Sequence, residues 1–200
     1  MPSRNENHKN LILAAQQNDF RAVSDLMWGC DPKHNASEAF RVAASYGSLE
    51  CLQALKTVSD ITARNAEALY LAARNGHLPC VKFLWNLSIV HLNRRGYEAL
   101  LGAAAYNHVQ TARFIVEQGI DPAQKQSQPL AVAIVEGHQQ MVAFLAPLSN
   151  PDQALDQIMR SGHSYAQYKW YKERLDAQRQ KDTLHTHLAN STVSPANRKL

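Results

Sequence analysis

Glu67-Ala68-Leu69-Tyr70-Leu71-Ala72-Ala73-Arg74-Asn75-Gly76-His77-Leu78-Pro79-Cys80-Val81-Lys82-Phe83-Leu84 is the stretch that decides the fold of this chain. An apolar run ends in a pair of alanines, breaks at Asn75-Gly76-His77, and resumes. Leu78, Val81 and Leu84 recur at the helical period, with Cys80 and Phe83 filling in, and nothing here alternates as a strand would. Gly76 stands at the break because glycine tolerates the left-handed conformation that stops one helix and reverses the chain into another. The stretch reads as helix, tight turn, helix.

Working outward, the same register returns on both sides. Glu38-Ala39-Phe40-Arg41-Val42-Ala43-Ala44 precedes it and Glu98-Ala99-Leu100-Leu101-Gly102-Ala103-Ala104 follows, with looser copies at Lys9–Ala15 and Gln128–Ile134. The second small residue of each pair, or its counterpart, falls at 15, 44, 73, 104 and 134, giving steps of 29, 29, 31 and 30 residues. A turn follows each time: Asn18-Asp19, Gly47-Ser48, Gly76-His77, Asn107-His108 and Gly137-His138. Apolar residues then resume, as at Val109, Ala112, Ile115 and Val116. One such unit cannot bury its apolar face alone, so the units must stack into a solenoid, and the small pairs let neighbouring helices approach. Gln153-Ala154-Leu155 and Gly162-His163 outline a degenerate sixth unit whose small pair has become Ile158-Met159, as befits a terminal repeat with one face in water.

Composition supports a folded chain: 200 residues, 45% hydrophobic and 19% charged. The net charge of +4 is unevenly spread, with 13 Lys/Arg against 12 Asp/Glu in residues 1–150 and 8 against 5 in residues 151–200. That surplus is too thin to specify nucleic acid. Cys30, Cys51 and Cys80 are odd in number and lack metal-ligand spacing, which points to a reduced, cytoplasmic setting. No signal peptide or run of about 20 apolar residues is visible, so a protein away from membranes is expected.

The repeat resembles the ankyrin repeat, whose first helix carries Thr-Pro-Leu-His-x-Ala-Ala and whose turn carries Gly-His. Leu71 to Leu84 supplies the turn and second helix, Asn93 to Leu100 the entry loop, and Gly29–Pro32 and Gly119–Pro122 look like the family's connecting hairpin. Thr-Pro is replaced by Glu-Ala in three units, and the signature His by Ile12, Arg41, Tyr70, Leu101 and Ala131. The period also falls short of the family's ~33 residues, which puts the β-structure of the hairpins in doubt. The tetratricopeptide repeat is the nearest rival, but its Trp/Gly/Tyr pattern is absent. The expected fold is an all-α, ankyrin-type solenoid of about six helix-turn-helix units with short or reduced hairpin loops. Its units run at about 9–37, 38–66, 67–97, 98–127, 128–152 and a capping unit 153–179, between a flexible N-terminus (1–8) and a polar, unstructured tail (180–200).

Several residues invite chemistry, and each has a plainer explanation. His77, His108, His138 and His163 form a column, one per unit, but stacked units separate equivalent residues by ~8–10 Å, too far to share a metal. They belong to the turns. Cys51 and Cys80 occupy one slot of the second helix, filled elsewhere by Ala22, Thr111 and Met141, and read as small buried hydrophobes. His185-x-His187 in the tail is too sparse a ligand set. Tyr165 to Arg174 interleaves aromatics with cations, which suits either a stacking platform for single-stranded nucleic acid or a helix capping the apolar core. The cap is favoured, with Ala166 and Trp170 facing inward and Tyr168, Lys172 and Leu175 elsewhere. No catalytic, metal or cofactor-binding residue is assigned: no nucleophile–base or phosphate-loop motif appears, and repeats filling residues 9–175 leave no room for a catalytic domain.

The ankyrin resemblance implies a protein partner lying along the concave face, on the loop before each first helix and on that helix's last turn. Carried over position by position, it selects Tyr46, Arg64, Arg74, Asn75, Arg94, Arg95, Tyr97 and Tyr106. Arginine and tyrosine are enriched at binding hot spots, and guanidinium forks suit carboxylate or phosphate. A monomeric interaction module of adaptor, inhibitor or effector type follows, cytoplasmic or, for a secreted microbial effector, in the host cytosol. Its partner would be acidic or phosphorylated. Nucleic-acid binding through the C-terminal helix is the alternative.

Overall fold

The computed structural model describes residues 4–29, 35–60, 63–87, 92–162 and 165–192. Twelve α-helices and no strand occur among them. They come in pairs: α1 (Arg4–Gln16) with α2 (Phe20–Leu26), α3 (Asn35–Tyr46) with α4 (Leu49–Leu55), α5 (Ala63–Arg74) with α6 (Leu78–Asn86). Then come α7 (Leu92–Ala105) with α8 (Val109–Glu117), α9 (Gln124–Val135) with α10 (Gln139–Leu145), and α11 (Pro151–Arg160) with α12 (Tyr165–Thr192). The first helices α1, α3, α5, α7, α9 and α11 pack side by side in one layer, and α2, α4, α6, α8 and α10 in a second. The expected all-α repeat solenoid is the observed one.

The turns form where the sequence places them. Positive φ angles occur at Asn18 (56°), Gly47 (76°), Gly76 (78°), Asn107 (60°), Gly137 (73°) and Gly162 (68°). In five units the N–H two places into the turn donates back to the first residue of the small pair. These bonds run Asp19 to Ala14, Ser48 to Ala43, His77 to Ala72, His108 to Ala103 and His138 to Ala133, each 2.9 Å. A left-handed residue closed by a six-to-one bond is how a helix C-terminus satisfies its orphan carbonyls. One alanine thus serves the turn while its neighbour packs: Ala15, Ala44, Ala73 and Ala104 are fully buried. Between the layers lie Leu52, Leu55, Leu84, Leu100, Ile115 and Leu145, also fully buried. Each contributes ~1.5–3 kcal/mol relative to exposure.

Two buried serines tie units to their successors, and the periodicity alone did not single them out. Ser37 Oγ accepts from the Asp60 N–H at 2.9 Å, and Ser127 Oγ from the Asn150 N–H at 2.8 Å. Both fix the chain just before a first helix. Ser127 also ends a run of three left-handed residues, Lys125 to Ser127, so the regular part of α9 starts with Pro129 in its first turn, where a missing N–H costs nothing. Gly119 (φ 94°) turns the chain into a loop anchored by buried Ile120, so this connection is a turn and not a strand pair. The other proposed hairpin, Gly29–Pro32, falls largely outside the described residues.

Both ends differ from expectation. The helix α1 begins at Arg4, inside the segment expected to be flexible, and His8 Nε2 lies 3.0 Å from Glu38 Oε2. At the other end α12 continues through Gln180 to Thr192, where composition predicts no fixed structure. Its packed first half removes the nucleation cost, so polar residues extend it at one hydrogen bond each. Asp182 accepts from the Gln178 side chain at 2.9 Å, and Arg179 pairs with Asp152 of α11 at 2.8 Å. The inward stripe of α12 also differs. Tyr171 is buried, Tyr168, Trp170 and Leu175 pack on the core, and Ala166 is exposed. Spacing of three and four from Tyr168 selects this face; of the two residues expected inward, Trp170 packs on the core and Ala166 does not.

Candidate partner-binding face

The expected site residues occupy the first-helix layer, and the structure divides them. Tyr46, Asn75 and Tyr106 stand at the same position of successive units, immediately past or at the end of α3, α5 and α7. Tyr46 is 55% and Tyr106 48% exposed, unusual for large rings. Arg74, in the last turn of α5, reaches across to the next unit. Its Nη2 donates to the Tyr106 hydroxyl at 2.5 Å and its Cζ lies 4.8 Å from the ring centroid. Stacking and hydrogen bonding to one partner fix the guanidinium at an exposed position. The position that allows this is Gly102: a Cβ there would come within 3.1 Å of the Tyr70 ring and 3.4 Å of Arg74 Cβ. An isolated glycine in a helical pattern was the available signal for this close approach.

Asn75 is exposed, but its amide donates to the Ser45 carbonyl at 2.7 Å and Ser45 Oγ at 2.9 Å, bracing α5 against α3. Arg94 and Arg95 sit at the opposite end of the layer, about 18 Å from Tyr106 along the α7 axis by helical rise. Both are engaged by Glu98, at 3.3 Å and 2.8 Å, and only Arg94 is largely exposed. Arg64 lies in the first turn of α5 with its side chain outside the described residues. Tyr97 corrects the expectation outright: it is 2% exposed, one of the larger core side chains. Its hydroxyl reaches the Gln124 carbonyl and Gln128 Oε1, both 3.3 Å, and Lys125 Nζ covers the ring at 4.6 Å. Burial pushes its phenol up to about 12. The loop position that projects in the family is filled here by a ring folded under the short connection to α9.

The histidine column is structural. His77 Nε2 lies 2.9 Å from the Ser45 carbonyl oxygen and His138 Nε2 2.9 Å from that of Ala105, while His108 bonds the Arg74 carbonyl. Each imidazole begins a second helix yet makes no cap of its own. It satisfies the last turn of the preceding unit's first helix instead. His163 lies outside the described residues. Cys51 and Cys80 are buried, and burial raises both thiols to about 11; Cys30 is not among the described residues. No cluster of three or more His, Cys, Asp or Glu suited to a metal occurs among the described residues, and no helix there is long and apolar enough to cross a membrane.

The geometry defines a stacked helix-turn-helix repeat protein, bound together unit to unit through turn side chains. The family model for ankyrin repeats, in three copies, matches residues 11–93. That span is similar to ankyrin repeats, and the same turn bonds continue beyond it as far as His138. No curated protein matches the chain. Ankyrin repeats are generally protein–protein interaction modules and typically non-enzymatic.

Proposed function

We propose that the chain binds a protein partner on its first-helix face, centred on Arg74, Tyr106 and Tyr46, and that the segment it holds there is acidic or phosphorylated. The carrying observation is the Arg74–Tyr106 pair. An arginine stacked on an exposed ring and hydrogen-bonded to its hydroxyl loses little freedom when a carboxylate or phosphate docks on its open edge. Exposed Tyr46 and Tyr106 flank it on the same row, offering area at low entropic cost. Arg94 and Arg95, already held by Glu98, stand apart from this centre and take a secondary part. Tyr168, Trp170 and Tyr171 of α12 pack on the core, which favours the cap over a stacking platform for nucleic acid. A non-catalytic adaptor or inhibitor role agrees with such a surface.

Affinity capture from cell extract with wild type and Arg74→Glu, at matched melting temperature, tests this. Loss of a reproducible partner from the variant supports the reading. Identical capture by both proteins moves the site elsewhere.

A further inference from the structure

The row occupied by Tyr46, Asn75 and Tyr106 reaches Glu136 one unit later, beside a cleft between α9 and α11. The cleft has a volume of about 270 Å³ and an apolar floor of Ala131, Val132, Val135 and Ile158. Glu136 stands exposed at its edge and Gln157 in its wall. Glu136 caps the C-terminus of α9, where the helix dipole favours a cation and disfavours a carboxylate. No ion pair or hydrogen bond reaches its side chain among the described residues. Gln157 Oε1 is buried on the facing helix without a hydrogen-bond partner. An acceptor buried without a donor is costly, so one that persists at a cleft calls for an explanation.

We infer that this cleft receives a lysine side chain of the partner. A four-carbon stem suits the apolar floor, an ammonium at its end pairs with Glu136, and a rotation of the Gln157 side chain toward the cleft gives its oxygen a donor as well. The same cation would offset the misplaced carboxylate at the end of α9. An aliphatic side chain fits the floor but leaves both acceptors unpaired, and an acidic one meets Glu136 with like charge. The inference rests on the proposed function only in assigning the face to a partner. It adds polarity to that partner: a lysine at the α9–α11 end and an anionic group roughly two helix spacings away, ~16–20 Å, at Arg74. A bound segment can then run in one direction only.

The test needs no partner. Nα-acetyl-lysine methylamide is titrated into the full chain while the Gln157 side-chain amide and the methyls of Val132, Val135 and Ile158 are followed by NMR, with the norleucine and arginine analogues as controls. Saturable shifts confined to this cleft are expected for lysine at millimolar affinity, weakening about tenfold or more for norleucine and for Glu136→Gln, as loss of a charge-assisted bond implies. Glu136→Gln should also raise the melting temperature, because it removes a carboxylate from a helix C-terminus. A variant that is more stable yet binds less tightly separates a binding role from a structural one. Equal shifts for lysine and norleucine, tighter binding of the arginine analogue, or unchanged affinity in Glu136→Gln overturns the inference. None of these outcomes depends on Arg74, so this cleft and the Arg74 face fail or stand separately.

Discussion

His77 Nε2 lies 2.9 Å from the carbonyl oxygen of Ser45, and its ring fills the space a side chain at Gly47 would occupy, with Nδ1 2.5 Å from the place of that missing Cβ. Ring and glycine therefore form one joint between the second and third units. Gly47→Ala should cost more than the ~1–2 kcal/mol of a strained left-handed residue, because the methyl also displaces the imidazole. His77→Ala alone should cost only ~1 kcal/mol, since Ser45 keeps its bond from Asn75. In the double variant the clash disappears and the costs fall short of additive. Urea unfolding of the four proteins measures the coupling; strict additivity would show the joint to be two independent features.

Turns and helix pairs were legible because they rest on residue types with few substitutes. Only glycine or asparagine sits comfortably at positions 18, 47, 76, 107 and 137, and only small residues fit where first helices touch. Less legible were choices that depend on which neighbour arrives. Tyr97 looks like a projecting aromatic by position, yet the short connection through Gly119 brings α9 close enough to cover it. Arg94 and Arg95 look like free cations until the helix they open places Glu98 three and four residues on. Glu136 falls on the row that the resemblance selects, but that it and Gln157 Oε1 lack partners is visible only once both helices are placed.

Acid should loosen the central joints. Desolvation, aided by the neighbouring His77 and His138, holds the His108 imidazole below its usual 6.5, while its bond to the Arg74 carbonyl opposes the shift. A histidine depressed in the folded state binds fewer protons than the unfolded chain once the pH falls below that usual value. Its stabilising contribution is whole above pH 6.5 and is lost as the pH falls through the folded value. Urea midpoints at pH 7.5, 6.5 and 5.5 should be level between the first two and lower at the third. His108→Asn, less stable throughout, should show a shallower acid drop. An equal drop in both proteins would place the acid sensitivity elsewhere.

The buried thiols should be silent. Cys51 and Cys80 are held at about 11 by burial, Cys51 with added repulsion from Asp19 and Glu50. Almost no thiolate exists at neutral pH, and none is accessible. In a Cys30→Ser background, a thiol-specific disulfide reagent should react only at the rate of unfolding. Fast labelling of the native protein would mean that α4 and α6 open locally.

Tyr97→Phe and Arg95→Glu separate the core from the face. Removing the Tyr97 hydroxyl deletes bonds to Gln124 and Gln128 and should cost ~1 kcal/mol, with partner binding unchanged. Arg95→Glu sets a second carboxylate against Glu98 where Arg95 was only 15% exposed. It should lower the melting temperature by ~2–4 °C for each kcal/mol lost. A charge reversal at 94 and 95 thus perturbs folding as well as any interface, and weakened binding in that double variant cannot be assigned to contact. Arg74→Lys is the cleaner probe. It keeps the charge, gives up the planar stack on Tyr106 and the fork geometry, and touches no core residue. Partner affinity should fall about tenfold while the unfolding midpoint stays put, the signature of a lost bidentate contact. If lysine binds as tightly as arginine, the face offers the partner only a point charge, and the stacked geometry on Tyr106 has no part in recognition.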